Sequence, residues 1–596
     1  MSLLKYPSIH TIGSHKSELA KLSQHNKTAW ILMTADMIQT RCRLKVQYLH
    51  FQTTETPTSI QMKLRILLAN NNADRSSIDY SDFFLVAQSH TEDSFYNITD
   101  YVQRCSEWDL SVAERLRGRT LLFITQTAED ADDLLSKSGV NAFISRVLET
   151  YIETFGLESI EGFAIEIPYF LSIFERDATT IPWSSSLLKC IETENRRTEK
   201  VQGNSIPYLF YETYNSPVIR SMFWQSLTSQ FADCFLVSIK KFCHKHNLRF
   251  AVTIRESSKS LQYDLETLLE KADCPILFAA DELTPRRFVV AKSTCSNANN
   301  VGIIRKDNHT FSHCLSDIPL GFNQWLSYDI GNPLSDTKQH QHLGETLQNG
   351  TPVRKILMLS PIQSLWMKPE EKEWSSITKS WGWLTQTVWN LGYDFDTVSE
   401  AQFAKTFLHK NGRKLCLNQR MYELVLLPSC LSLHETTVHL LTEFTKSKGR
   451  ILANAPVPYL LNGKVGLEPY RLERLLFRRQ TTVLDGPLNE REAELRKYLR
   501  KWVKPIISIY SNNENTPVTN IKIHHRQHEN RQLFFLYYSG NETIDALVEI
   551  EKQIENIEEC HLQTGKSVRL KFWHANDKTY LNCQFKPEQG RLLFAT

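Results

Sequence analysis

The amino-acid sequence predicts a multidomain α/β protein with β-sandwich domains at its two ends. The chain has 596 residues, which is too many for a single hydrophobic core. Short segments of β-like alternation fill both ends, and helical patterns alternate with strand-like runs in the two stretches between them. These changes of pattern divide the chain into four predicted domains, at residues 1–128, 129–345, 346–480 and 481–596.

Composition and charge narrow the class of protein. Hydrophobic residues make up 41% of the chain and charged residues 23%, as in soluble globular proteins, and the net charge of +3 gives no basic surface for nucleic acid. The start of the chain lacks the apolar core of a signal peptide, and no segment is apolar over the length of a membrane span. The 12 cysteines are scattered without a Cys-x-x-Cys pair, which is typical of reduced thiols. We therefore expect a cytoplasmic protein without nucleic-acid or membrane partners and without a bound metal.

Short β-like runs make up the first predicted domain. They are "TAWILMTADMI", "RLKVQYLHF", "IQMKLRILLA", "DFFLVAQ" and "RTLLFITQ", and polar breaks separate them. Apolar and polar residues that alternate within runs of this length are typical of antiparallel strands. The pattern predicts an antiparallel β-sandwich.

The second predicted domain alternates helices with buried strands. A helical stripe of apolar residues ends at Gly156, shortly before the apolar run 163–165. A long amphipathic segment, "RSMFWQSLTSQFADCFLVSIKKFCHKHNL", leads in the same way into the strand "RFAVTI". Helices that repeatedly lead into apolar strands indicate a parallel sheet. Glu166 would then lie at the C-terminal end of its strand.

The last two predicted domains follow the polar segment "SDTKQHQHLGETLQNGTP", which we interpret as a linker. Strands such as "RKILMLSPI", "YELVLLPS" and "RILANAP" alternate with helices and predict a doubly wound, flavodoxin-like sheet. No Gly-x-Gly-x-x-Gly motif follows its first strand, so neither a dinucleotide nor any other cofactor is predicted. After the helix in "NEREAELRKYLRKWVKP", further alternating runs predict a terminal β-sandwich.

Four stretches of the chain resemble the α-L-rhamnosidase-like bacterial glycoside hydrolases. They are "LLSKSGVNAFISRVLETYIETFGLESIEGFAIEIP", followed after an insertion by Pro182 and Trp183; "FWQSLTSQFADCFLVSIKKFCHKHNLRFAVTI"; "ILMLSPIQSLW" with "LGYDFDTVSE"; and "LFFLYYSGNET" with "ECHLQTGK". Together they extend over about residues 95–596 in the order that the family has. The resemblance implies a (β/α)₈ barrel whose strand-end carboxylates cleave a glycosidic bond.

The sequence departs from that family at its two catalytic positions. Where the family has Gly-Phe-Phe-Thr-Asp-Glu-Pro, this chain places Glu166 at the aspartate and Ile167 at the glutamate. The family's Ser-Glu-Thr strand end corresponds to residues 292–294, so Ser293 replaces the second carboxylate. The chain also begins almost at the β-domain, so we expect the first barrel strands to be missing. A modified or incomplete barrel has exposed edges, and a homo-oligomer or a partner subunit could cover them.

Seven residues are candidates for the functional site. A carboxylate between Ile165 and Ile167 would be partly desolvated, which could raise its pKa. The alternative for Glu166 is a structural ion pair with a neighbouring arginine, and for Glu256 a surface ion pair. The candidate catalytic residues are Glu166 and Glu256, and the candidate substrate-binding residues are Trp183, Asp281, Ser293, His309 and His313.

These features predict a glycoside hydrolase-like protein that acts on a glycosylated or sugar-like small molecule with altered catalytic machinery. One carboxylate of the usual pair is replaced at each strand end, and neither isoleucine nor serine can transfer a proton as a carboxyl group does. Two alternatives stay open. The fold could be repurposed for non-hydrolytic chemistry in a biosynthetic pathway, or it could serve as a catalytically inactive sugar-binding or scaffold subunit.

Overall fold

The computed structural model of the chain describes most of the sequence in segments. These are residues 2–5, 29–35, 38, 42–70, 83–88, 95–97, 114–128, 132–171, 180–184, 187, 205–255, 258–279, 284–296, 298–304, 311–326, 337–367, 371–409, 413–464, 469–512 and 516–596.

The described residues form 32 strands and 16 α-helices. The strands are β1 (Ser2–Lys5), β2 (Ala29–Met33), β3 (Cys42–His50), β4 (Phe83–Gln88), β5 (Phe95–Asn97), β6 (Thr120–Ala128), β7 (Ile160–Glu166), β8 (Thr180–Trp183), β9 (Arg249–Arg255), β10 (Cys274–Phe278), β11 (Gly302–Ile304), β12 (Gln324–Leu326), β13 (Thr351–Pro352), β14 (Ile356–Leu359), β15 (Phe395–Val398), β16 (Phe407–Leu408), β17 (Leu415–Leu417), β18 (Arg420–Tyr422), β19 (Leu424–Leu427), β20 (Ser432–Leu433), β21 (Arg450–Asn454), β22 (Leu460–Leu461), β23 (Thr481–Leu484), β24 (Ile507–Ser511), β25 (Ile521–His528), β26 (Arg531–Tyr538), β27 (Ile544–Ile550), β28 (Ile557–Cys560), β29 (Ser567–Arg569), β30 (Trp573–Ala575), β31 (Lys578–Phe585) and β32 (Gly590–Ala595). The helices are α1 (Pro57–Asn70), α2 (Lys137–Phe143), α3 (Thr150–Phe155), α4 (Pro207–Phe210), α5 (Ser216–Phe231), α6 (Val237–Lys245), α7 (Leu265–Leu269), α8 (Pro285–Cys295), α9 (Phe311–Asp317), α10 (Thr337–Gln348), α11 (Ile362–Met367), α12 (Glu371–Asn390), α13 (Glu400–Phe403), α14 (Glu435–Lys446), α15 (Pro469–Leu476) and α16 (Leu488–Trp502).

Two of the helical stretches continue through a π-helical turn. Ile144–Glu149 joins α2 to α3, and Ala232–Leu236 joins α5 to α6. Both continuous helices lead directly into strands of one parallel sheet, as the sequence predicts. Gly156 ends the first of them with a φ of +78°, a conformation that glycine adopts without steric cost.

Seven parallel strands form one curled sheet, a half-barrel, in the order β1-β2-β7-β9-β10-β11-β12. Phe163 and Ile165 of β7 pack into the core that this sheet shares with the helices. Because side chains alternate along a strand, Ala164 lies on the opposite, inner face, beside Trp30 and Ala251. The same alternation places the carboxylate of Glu166 on the inner face, at the C-terminal end of the strand.

The two strands β1 and β2 correct the expectation that the first barrel strands are missing. Both belong to the parallel sheet, and β2 lies next to β7. Ile31 and Met33 face the helices, whereas Trp30 and Leu32 lie on the inner face, and all four are buried. A strand that is apolar on both faces is typical of a buried parallel sheet, so this run does not belong to an antiparallel sandwich.

A five-stranded antiparallel sheet follows in the order β5-β4-β6-β3-β8. The segment "IQMKLRILLA", predicted to be a strand, lies in helix α1 instead, which has a proline in its first turn. Ile60 and Leu64 are fully buried, whereas Met62 is 65% exposed. Apolar residues four apart on one helix face produced the alternation that we interpreted as a strand.

The predicted linker before the third domain is also largely helical. Most of its sequence forms α10, in which Leu343 and Leu347 are buried four residues apart. Two leucines at this spacing place one face of a polar helix against the core. Arg526 of β25 then donates to the carbonyl oxygens that follow the helix, at 3.2 Å to Gln348 and 2.6 Å to Gly350.

Beyond α10, two further units complete the chain. Five parallel strands lie in the order β15-β14-β19-β21-β23, with α14 and α15 packed side by side on the sheet. Helix α12 of this unit packs against α8 of the half-barrel, where a side chain on Gly382 would contact the backbone of Pro285 at 3.0 Å.

The residues from β24 onward form two antiparallel sheets around one apolar core. The terminal sandwich agrees with the sequence prediction.

Buried charges connect the half-barrel with the five-stranded parallel sheet. Asp394 accepts from Lys292 Nζ at 2.5 Å and from Arg354 Nε at 2.8 Å. The Lys292 side chain is fully buried and also lies 5.1 Å from the ring centroid of Trp389. Lys292 belongs to α8 and Asp394 directly precedes β15, so this contact joins two units of the chain.

Asp396 extends the same set of charges. Its two oxygens accept from Arg354 Nη1 at 2.5 Å and Arg420 Nη1 at 3.0 Å, and the Tyr422 hydroxyl donates at 2.9 Å. Burial alone would raise the pKa of Asp396, but the Arg354 and Arg420 guanidinium groups outweigh it and hold that pKa well below its usual range. We call this set, Lys292, Arg354, Asp394, Asp396, Arg420 and Tyr422, the buried ion network.

Removing one charge from the buried ion network should destabilise the protein. Asp396→Asn leaves Arg354 and Arg420 buried with one fewer carboxylate, so we expect the free energy of unfolding to fall by about 3 kcal/mol. Urea denaturation followed by tryptophan fluorescence measures this change. Asp485→Asn, at a side chain that is 79% exposed, is the matched control and should change stability little. Equal effects of both substitutions would show that the network is not specifically stabilising.

Candidate functional site

The C-terminal mouth of the half-barrel brings together the ends of four neighbouring strands. Glu166 ends β7, Arg255 ends β9, and Phe278 ends β10, while Ala35 follows β2. Parallel strands end at the same edge of a sheet, so residues far apart in sequence meet there. We call Ala35, Glu166, Arg255 and Phe278 the mouth cluster.

The carboxylate of Glu166 is held from two directions. Its side chain is only 5% exposed. Arg255 Nε donates to Oε1 at 2.5 Å, and Arg255 Nη2 approaches Oε2 at 3.4 Å. The Ala35 backbone N–H donates to Oε2 at 3.1 Å. The arrangement corresponds to the ion pair that is the alternative for this residue in the sequence analysis.

The guanidinium of Arg255 faces the opening of the half-barrel. Its side chain is 46% exposed, and its Cζ atom lies 4.9 Å from the ring centroid of Phe278. Contact with an aromatic face and with a carboxylate fixes the plane of a guanidinium group. Thr253, which pairs with Glu166 across β7 and β9, adds a buried hydroxyl without a hydrogen-bond partner among the described residues. The mouth therefore presents one half-exposed cation, which a buried carboxylate and a buried aromatic ring hold in place.

This geometry limits what Glu166 can do chemically. A glycosidase needs one carboxyl group that donates a proton and a second that attacks the sugar or activates water. Both oxygens of Glu166 accept hydrogen bonds, so neither is placed to donate a proton to a leaving oxygen. The mouth cluster, as defined, contains one carboxylate.

Four predicted site residues, or their side chains, lie outside the part of the chain that the structure describes. Glu256, Asp281 and His309 are outside the described residues, and His313 lies in α9, where its side chain is outside them as well. The roles predicted for these four residues stay predictions. Trp183 is described: it lies in β8, opposite Cys42, and is only 4% exposed. Its ring packs in the core of the protein rather than on an open surface.

Ser293 does not lie at a strand end, which corrects the sequence-based placement. It is part of α8, where Thr284 caps the N-terminus and Pro285 occupies the first turn. These start signals form a helix where the family resemblance implied a strand end at residues 292–294. The Ser293 hydroxyl donates to Glu266 Oε1 at 3.1 Å and accepts from Thr397 Oγ1 at 3.0 Å. It therefore lies between the half-barrel and the parallel sheet of the next unit.

The contact with Glu266 reveals a pair of buried acids that the sequence analysis missed. Asp264 caps α7 through the Thr267 N–H at 3.0 Å, and Glu266 lies in the first turn of that helix. Burial and, second to it, the charge of Asp264 raise the pKa of Glu266 to about 7, although hydrogen bonds from Thr397 and Ser293 act to lower it. An aspartate before an apolar run is a visible helix-cap signal, but nothing in the sequence shows that both acids are buried.

The described part of the chain also lacks two kinds of feature, a metal-binding cluster and a membrane-spanning helix. No group of three or more histidine, cysteine, aspartate or glutamate side chains there is arranged to bind a metal ion. Among the helices that the structure describes, none combines the length and the apolar character needed to cross a membrane.

Comparison with known proteins identifies the class of fold. No protein-family profile matches the sequence, and no curated protein matches it. A rhamnosidase from Novosphingobium sp. PP1Y has a similar structure, with a TM-score of 0.59 and 12% identity over 84% of this chain. A beta-galactosidase from Bacillus circulans sp. alkalophilus matches with a TM-score of 0.55 and 7% identity, over 100% of this chain and 98% of its own. A beta-galactosidase from Rahnella sp. R3 matches with a TM-score of 0.53 and 9% identity, over 100% and 94%.

These similarities show a glycoside hydrolase-like fold. At identities of 7 to 12% they show the fold alone. This chain spans about half of the rhamnosidase, 53% of its length. The resemblance to α-L-rhamnosidase-like glycoside hydrolases, predicted from four stretches of sequence, is thus confirmed for the fold.

The buried acid pair makes stability depend on pH in a defined direction. Because the folded-state pKa of Glu266 is raised, folding retains a proton that the unfolded chain releases above its ordinary pKa. The stability that this proton contributes is complete below about pH 4.5 and is lost as the pH rises through about 7. Glu266→Gln should therefore match the wild type at pH 4.5 and be more stable at pH 8, by on the order of 2 kcal/mol.

Urea denaturation of both proteins at pH 4.5, 6, 7 and 8 measures this difference. Glu270→Gln, in the residue after α7, is the control of opposite sign. Burial tends to raise the pKa of Glu270, but hydrogen bonds from Lys405 and Gln402 outweigh it and lower that pKa. Its substitution should reduce stability at pH 8. If Glu266→Gln loses stability between pH 4.5 and 8 as steeply as the wild type, Glu266 does not carry the dependence.

Proposed function

We propose that this protein acts on a glycosylated or sugar-like small molecule at the mouth of the half-barrel, with catalytic machinery altered from the usual carboxylate pair. The fold similarity to glycoside hydrolases supports the substrate class. The observation that carries the proposal is the strand-end carboxylate of Glu166, bound on both oxygens by Arg255 and the Ala35 N–H. Because both oxygens of Glu166 accept hydrogen bonds, we infer that this residue does not donate a proton to the substrate.

The mouth cluster suits sugar recognition. A half-exposed guanidinium can donate hydrogen bonds to sugar hydroxyl groups, and the buried ring of Phe278 beneath it holds the guanidinium plane in place. In this role Glu166 is a positioning residue, because it orients Arg255 rather than contacting the reacting bond. Trp183 and Ser293 are buried away from the mouth cluster, whereas substrate binding by Asp281, His309 and His313 stays a prediction.

A catalytically inactive sugar-binding protein is the second candidate. The specific observation in its favour is the same ion pair, since Glu166 cannot serve as a general acid while both oxygens accept hydrogen bonds. Hydrolysis would require a proton donor elsewhere, such as Glu256 in the residue after Arg255. Turnover and binding measurements separate these two candidates.

We also infer the finer features of architecture and setting. The strand order of the five-stranded parallel sheet, with its second strand at the edge, supports a doubly wound, flavodoxin-like domain. Each cysteine whose side chain the structure describes is a free thiol, which supports a cytoplasmic protein. The balance of 69 basic and 66 acidic residues supports a small-molecule substrate over nucleic acid. A homo-oligomer or a partner subunit that covers the edges of the half-barrel stays part of the proposal.

The mouth cluster predicts sugar binding that depends on Glu166. We expect calorimetry to show saturable binding of L-rhamnose or D-galactose, and Glu166→Gln to weaken it about tenfold because Arg255 loses its charged partner. Glu158→Gln, an exposed residue that precedes the same strand, is the matched control and should bind as the wild type does. Release of nitrophenol from the corresponding aryl glycosides is measured in parallel.

The outcomes discriminate between the candidates. Binding with turnover that Glu166→Gln abolishes indicates hydrolysis, and binding without turnover indicates a sugar-binding protein. Equal affinity of Glu166→Gln and wild type would remove Glu166 from the site. If the protein neither binds nor hydrolyses a derivative of either sugar, the glycoside proposal as a whole is overturned.

A further inference from the structure

A second concave site lies far from the mouth cluster in the chain, between helices α14 and α15. The two helices lie side by side on the five-stranded parallel sheet and enclose a groove of about 320 Å³. Val438 and Leu475 contribute apolar surface to the groove, and both side chains are buried. A cavity of this size is at the lower end of the range for small-molecule sites, which is roughly 300 to 1,000 Å³.

Positive charge exceeds negative charge around this groove. Its lining includes Lys446 and three arginines, but only two acids. Glu435 accepts from Arg471 Nη1 at 2.5 Å, and Glu443 accepts from Lys446 Nζ at 2.7 Å. Each acid is therefore already matched with one cation.

Arg474 and Arg478 are the two cations that remain. Within the part of the chain that the structure describes, neither has a carboxylate oxygen within 4.0 Å. The Nε atom of Arg478 is buried and has no hydrogen-bond partner there. Both arginines line the groove, Arg474 from the last turn of α15 and Arg478 from the turn that follows it.

We propose that the α14–α15 groove binds a small organic phosphate. Guanidinium groups recognise phosphate through paired, charge-assisted hydrogen bonds, and two adjacent ones match its charge at neutral pH. Carbon atoms of the side chains that line the groove would contact the apolar part of the same ligand. This site belongs to another unit than the mouth cluster and does not depend on the glycoside proposal.

Phenyl phosphate is a suitable probe because it combines one phosphate group with one apolar ring. We expect saturable binding to the full-length protein in calorimetry, and weaker binding as salt concentration rises. Arg474→Gln and Arg478→Gln should each weaken binding about tenfold, since each removes a charge-assisted hydrogen bond. The double substitution should abolish measurable binding. Thermal unfolding of every variant confirms that it is folded.

Arg479→Gln is the matched control, because it removes the same charge from the next residue, which does not line the groove. It should bind phenyl phosphate as the wild type does. Inorganic phosphate should bind more weakly, and benzyl alcohol should not bind. Unchanged affinity in the double variant, or equal losses in the Arg479 variant, would overturn the proposal. If the wild type does not bind phenyl phosphate and the arginine variants lose stability, the two arginines only stabilise the helix ends. That result would also overturn the proposal.

Discussion

The buried ion network is the constraint on which the arrangement of the units depends. Charges that leave water are stabilised only when their partners are close and correctly oriented, so the network tolerates little displacement. Lys292 comes from the half-barrel, whereas Arg354, Asp394 and Asp396 come from the unit around the five-stranded sheet. Arg354 contacts both aspartates, and it also donates to the Cys295 carbonyl oxygen at 3.0 Å. The half-barrel and the parallel sheet are thus fixed at one relative position.

The buried acid pair, Asp264 and Glu266, lies beside the same contact between the half-barrel and the parallel sheet. Ser293 lies next to Lys292 in α8, and its hydroxyl connects Glu266 with Thr397 of β15. Two adjacent residues of one helix therefore contact the neighbouring unit in different ways. Lys292 forms an ion pair, and Ser293 forms hydrogen bonds through a neutral hydroxyl. Burial at this contact raises the pKa of Glu266, whereas the guanidinium groups of the buried ion network lower the pKa of Asp396.

At the mouth of the half-barrel, the ion pair between Glu166 and Arg255 has a different consequence from that of the buried ion network. Glu166 occupies a strand end where enzymes of this fold class place reactive carboxylates, yet Arg255 and a backbone N–H engage both of its oxygens. The pair holds a cation at the opening, over the ring of Phe278. The ion pair leaves Arg255 half-exposed at the opening, and the fold around it is similar to that of glycoside hydrolases at identities of 7 to 12%.

The sequence by itself determined the helices and strands whose patterns are long and regular. The continuous helices before β7 and β9, the buried run before Glu166 and the terminal sandwich follow directly from apolar periodicity. Short patterns were ambiguous: α1 was predicted as a strand because Ile60, Met62 and Leu64 alternate, and the family resemblance implied a strand end within α8.

Only the tertiary structure decided which segments became neighbours. Strand β2 joined the parallel sheet although the antiparallel strands follow it in the chain, since a strand that is apolar on both faces must be buried on both. Arg255 meets Glu166 across 89 residues, and Arg354 meets Asp396 across 42. Local sequence contains no signal for such pairs, because their geometry exists only after the strands have aligned at a common edge.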